Sequence, residues 1–104
     1  MPVVGEEEMT AEGLVKQDIK KGLTARGIYY FMPVQTGYGK RSVDFICCWK
    51  GRFLAIEAKA GKNQISKIQE STLNEMRLAG AITVVAYAWA DVERALSRVF
   101  PKDE

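Results

Sequence analysis

Asp44, Glu57 and Lys59 bring two carboxylates and an ammonium into one short stretch of chain. Their setting is unusual for charges. The runs "VDFICCW" (43–49) and "RFLAIEAK" (52–59) are mostly apolar, β-branched or aromatic, and read as two strands. Lys50-Gly51 between them has the length and the glycine of a hairpin turn. That turn pairs Trp49 with Arg52, and each later pair also sums to 101, so Asp44 falls opposite Glu57. Their Cβ atoms would lie about 4.5–5.5 Å apart, with Lys59 one step further along the same face.

Like charges opposed in a sheet repel each other. A divalent cation relieves this: magnesium is held by one or two carboxylates and completes its shell with water and phosphate oxygens. A lysine beside it suits a phosphate in its transition state. The other relief is a structural salt-bridge cluster in which Lys59 neutralises one acid. The chain has no histidine, which removes Ser-His-Asp and Cys-His hydrolases and histidine-ligated zinc. Hydrolysis would have to run on carboxylates, lysine and an oxygen-liking metal.

Charge is unevenly spread. The whole chain is +2, but residues 16–67 carry 11 basic and 3 acidic residues, a net +8. Glu6, Glu7, Glu8, Asp103 and Glu104 mask this from the two ends. A basic centre suits a polyanionic partner, the alternative being a merely solvated basic surface.

The elements that position these residues follow from pattern. Thr10 caps a helix over 11–26, with Val15, Ile19 and Leu23 at helical spacing. Residues 28–34 form a strand in which Pro33 marks an edge or bulge. After the loop 35–42 and the hairpin comes a helix over 66–79, with Ile68, Thr72, Met76 and Ala79 on its stripe. The run 81–88 is a strand covered on both faces, and 90–100 is a closing helix. The order α-β-β-β-α-β-α predicts an α/β fold, a mixed central sheet flanked by helices. At 104 residues, 1–104 is one domain, with the acidic segment 1–9 and the tail 101–104 expected to be flexible. Cys47 and Cys48 are adjacent, which suits buried free thiols in a reducing compartment. The opening "MPVVGEEEMT" lacks the pattern of a signal peptide, and the apolar run 78–90 is too short to span a bilayer. The expectation is a cytoplasmic protein without membrane or organic-cofactor partners.

Asp44, twelve residues, then Glu57-Ala58-Lys59 resembles the PD-(D/E)xK nuclease signature. The element order is similar to the αβββαβ core of that restriction-endonuclease-like superfamily. A closer resemblance is to the VRR-NUC family, in particular its small stand-alone members of the kind found in bacteriophages. It is carried by Glu12, "GIYYFMPVQTGYGKRSVDF" (27–45), "GRFLAIEAKAGK" (51–62), Gln69 and "GAITVVAYAWADVERAL" (80–96). Many superfamily members have proline before the aspartate, where this chain has Val43.

The resemblance implies a magnesium- or manganese-dependent DNA endonuclease acting on branched or structured DNA such as four-way junctions, as a homodimer. For a phage-encoded chain, the compartment would be the bacterial host's cytoplasm. Asp44 and Glu57 would hold the metal, with the Ala58 carbonyl as a further ligand. Lys59 would orient water or stabilise the phosphate, while Glu12 and Gln69 approach from the two helices. Glu12 equally suits the helix dipole, and Ser66-x-x-Gln69 equally reads as a capping box. In the loop, Gln35, Thr36, Tyr38, Lys40 and Arg41 are candidate nucleic-acid contacts, and Lys16, Lys20 and Lys62 are weaker ones. Trp49 and Trp89 are read as core or interface residues. The rival readings are a non-catalytic nucleic-acid-binding module with this fold, or a nuclease for flaps, single strands or RNA.

Overall fold

The computed structural model describes residues 10–34 and 41–101. The chain runs α1 (Ala11–Ala25), β1 (Tyr29–Phe31), β2 (Phe45–Trp49), β3 (Arg52–Ala58), α2 (Lys67–Leu78), β4 (Ile82–Ala86) and α3 (Trp89–Val99). The four strands form one mixed sheet in the order β1-β2-β3-β4, antiparallel except for the parallel β3–β4 pair. The expected flexibility of 1–9 and 101–104 falls outside the described residues, Pro101 excepted. Among the described residues, no helix is long and apolar enough to cross a membrane.

Local chemistry sets the element ends. Thr10 Oγ1 accepts from the Gly13 N–H at 2.9 Å and starts α1. Lys50 and Gly51 both have positive φ, 52° and 79°, the pattern of a type I′ hairpin turn. The register follows: Trp49 pairs with Arg52 and Phe45 with Ile56.

Helices cover both faces of the sheet. On one face α1 and α3 supply Ile19, Leu23, Val92 and Leu96, packed on Phe45, Leu54, Ile56 and Val84. On the other, Leu73 and Met76 of α2 pack with Val43, Ala55 and Val85. β4 is therefore apolar on both sides, Val84 and Ala86 facing one core and Val85 the other. Trp89 packs so closely on α1 that a Cβ at Gly22 would lie 2.0 Å from its ring. Asp18 of α1 accepts from the Trp89 N–H at 2.8 Å, supplying the cap that Ala88 cannot.

Four expectations are corrected. β1 has three residues rather than seven, ending before Pro33, which has no N–H for a ladder. Asp44 sits in a bend before β2 rather than within it. The contact stripe of α2 is centred on Leu73, which is buried; Thr72 and Met76 are half-buried, and the expected ends Ile68 and Ala79 are exposed. Only Cys47 is buried, because alternation sends Cys48 to a part of the α2 face that stays open beside exposed Phe53 and Tyr29. Burial pushes the Cys47 thiol up to about 12, so it remains protonated.

Candidate active site

The hairpin register carries β3 past the end of the β2 ladder and brings Glu57 to Asp44. The ladder stops at Phe45–Ile56 because Asp44 bends away, and its side chain takes over the next bond. Asp44 Oδ2 accepts from the Ala58 N–H at 2.9 Å. The Asp44 N–H in turn donates to the Glu57 carboxylate. The two acids are thus fixed to each other's backbone segment at one end of the sheet.

Glu57 is 5% exposed, the buried charged residue among those described. Gln69, in the first turn of α2, donates from Nε2 to Glu57 Oε2 at 2.8 Å. Its other amide atom, Oε1, accepts from the Ser66 N–H at 2.9 Å, while Ser66 Oγ accepts from the Gln69 N–H at 3.1 Å. The helix cap and the contact with Glu57 are therefore held together by one amide.

Burial first, and the negative charge of Asp44 after it, push Glu57 up to about 7. Lys59 opposes the shift, Glu12 adds to it, and the Asp44 N–H lowers it. Lys59 follows the last residue of β3 and bears on Glu57 through its charge. Among the described residues Lys59 forms no ion pair; it is Lys16 of α1 that meets the aspartate, Nζ to Oδ1 at 3.6 Å. Lys16 also lies 3.9 Å from Glu12, one turn back.

Glu12, Arg41, Asp44, Glu57 and Gln69 line one cleft of about 250 Å³, together with Ser42, Val43 and Thr72. Ala58 is fully buried beside it, committed through its N–H to Asp44. Lys62 is exposed in the turn after β3, and Lys20 lies one turn beyond Lys16 on α1. Gln35, Thr36, Tyr38 and Lys40 lie outside the described residues. Three details escape a reading of the sequence. Thr72 lines the cleft at helical spacing from Gln69, a signal that i, i+3 spacing contains. Lys16 acts on Asp44, for which the Glu12–Lys16 spacing is the only hint. Tyr87 Oη donates to the Asn63 carbonyl at 2.7 Å, pinning the turn that carries Lys62; nothing local foretells it.

A larger open cleft, about 750 Å³, lies at the opposite end of β2 between Trp49 and α3. It lacks a carboxylate pair, and its Arg26 is engaged with Glu93 at 3.6 Å and stacked over Trp49. Size alone therefore does not mark it as the candidate site. Trp49 meets Phe100 edge-on with centroids 5.2 Å apart, a packing role.

Against the models of known protein families the chain matches none, and it matches no curated protein.

Proposed function

We propose that the protein is a metal-dependent endonuclease hydrolysing DNA phosphodiester bonds, with branched or structured DNA such as four-way junctions as substrate. The proposal includes the restriction-endonuclease-like αβββαβ core of the PD-(D/E)xK superfamily and a VRR-NUC-type site. One observation carries it: buried Glu57 is fixed against Asp44 in a cleft that also holds Gln69 and Glu12, with Lys59 acting on the same carboxylate.

Among the described residues, no three aspartate, glutamate or cysteine side chains converge closely enough to hold a metal by themselves. The donor set is two hard carboxylates, which fits magnesium or manganese, ions that keep water and substrate oxygens in their shell. The raised affinity of Glu57 for a proton fits as well, since a buried carboxylate beside another gains from any positive charge. Asp44 and Glu57 would hold the ion, with the Ala58 carbonyl and Glu12 as further donors. Bound there, it would neutralise the scissile phosphate and lower the pKa of a water.

The chain's own groups have separate tasks. Gln69 fixes the Glu57 carboxylate, because both ends of its amide are engaged. Lys59 has no ion-pair partner among the described residues, so its ammonium is available to charge developing on the phosphate. Arg41, exposed on the cleft rim, and Lys62 would meet the nucleic-acid backbone. A homodimer would present two such sites to a two-fold substrate and make paired incisions.

A second reading has its own observation. Lys16 already sits 3.6 Å from Asp44, as in an ion-paired scaffold that binds nucleic acid without cutting it. A cleavage panel of four-way junction, flap, single-strand and duplex DNA, plus RNA, with and without magnesium, separates the two. Magnesium-dependent cutting strongest on the junction supports the nuclease; binding without cutting of any substrate supports the scaffold.

A further inference from the structure

Resting on the nuclease reading, we infer that Lys16 is a built-in counter-cation that occupies Asp44 in the metal-free protein and competes with the divalent ion for it. From the sequence Lys16 is one of three weaker candidate nucleic-acid contacts, with Lys20 and Lys62. In the structure its ammonium points at the aspartate, 3.6 Å from Oδ1, and both side chains are well shielded, at 29% and 15% exposure. Asp44 Oδ2 is taken by the Ala58 N–H, so Oδ1 is the oxygen that Lys16 contests.

The lysine has somewhere else to go. Glu12 lies one turn back at 3.9 Å and is more exposed, 38%. Glutamate preceding lysine by four is the favourable order for a helix pair. An ion arriving at Asp44 repels the ammonium, and Glu12 Oε2 retains it within the same short swing, which leaves Oε1 as the Glu12 oxygen for the ion. Lys16 thereby offsets Asp44 and Glu12, the two carboxylates whose negative charge bears on Glu57. Lys16 is thus a positioning and gating residue; Lys59 remains the cation assigned to the phosphate.

The test is manganese binding to the full chain without nucleic acid, by calorimetry, for wild type, Lys16→Met, Lys21→Met and Asp44→Asn. Lys21 is exposed on the same helix and controls for loss of one positive charge. Lys16→Met should bind manganese on the order of fivefold more tightly, the upper range for releasing a partly exposed ion pair. Lys21→Met should match wild type, and Asp44→Asn should lose binding. Unchanged or weaker binding by Lys16→Met, with wild type binding normally, overturns the competition and leaves the nuclease reading intact. Equal tightening in Lys21→Met reduces the effect to bulk charge and also overturns it. No binding by wild type or by Lys16→Met removes the metal site itself, and both proposals fall.

Discussion

Gln69 donates to Glu57 across 2.8 Å while the same amide closes the capping box of α2. The start of a helix and the orientation of a buried carboxylate are therefore one structural event. The two roles separate by mutation. Gln69→Ala should lose about 1–2 kcal/mol of stability, from the cap and the bond to Glu57 together. Gln69→Glu keeps a capping side chain but sets a second carboxylate against Glu57. It should keep the α2 start while losing cleavage, as read by circular dichroism and rate on the same sample. Equal activity of Gln69→Glu and wild type would show that the bond to Glu57 is not needed.

Glu57 also predicts a pH effect on the metal-free protein. Its folded pKa, about 7, is raised above the ordinary value of 4.5. Between these values the folded state keeps a proton that the unfolded chain has released. The stabilisation is thus full below the unfolded pKa and is lost as pH rises through the folded one. The melting temperature of wild type minus that of Glu57→Gln should fall from pH 4.5 to pH 7.5. A difference that is flat or rises would contradict the burial of Glu57 beside Asp44.

Trp89 rests on Gly22, where an added Cβ would lie 2.0 Å from the ring. Alanine would ordinarily favour a helix interior, by about 0.5–1 kcal/mol over glycine. Here the clash should win, and Gly22→Ala should cost about 1–3 kcal/mol net with a shift in tryptophan fluorescence. A rise in melting temperature would mean that α1 and α3 do not cross so closely.

Gly51 sets the register on which the site depends, at φ 79° in the turn. Gly51→Ala should destabilise by about 1–2 kcal/mol, the cost of a left-handed residue with a Cβ. Cleavage should fall with it, because the turn is what brings Glu57 to Asp44. Chemical denaturation and a junction assay on one preparation check both effects.

What is legible in the sequence is local. A two-residue turn with glycine fixes pairing by arithmetic, so the Phe45–Ile56 register is implicit in the residue order itself. Thr10 and Ser66 announce their helices through side-chain chemistry within three residues. The failures lie where geometry is set at a distance. Lys16 reaches Asp44 only because α1 packs on a sheet face with its first turns beside the Asp44 bend, which spacing along α1 cannot reveal. The stripe of α2 is hard to place because "KIQESTLNEMRL" is weakly amphipathic, so packing against Ala55 and Val85 chooses Leu73 over Ile68. Cys48 defies its expected burial because alternation gives the face, but not how much of it a helix covers.

Asp44 and Lys59 are the groups assigned to the cutting of DNA. The direct measurement is the single-turnover rate on a four-way junction with magnesium, for wild type, Asp44→Asn and Lys59→Met, each first shown to be folded by circular dichroism. Wild type should cleave, and each variant should fall by about 100-fold or more, the scale of losing one group that stabilises transition-state charge. Near-wild-type rates in both folded variants, or a wild type that binds the junction and never cuts it, would contradict the account.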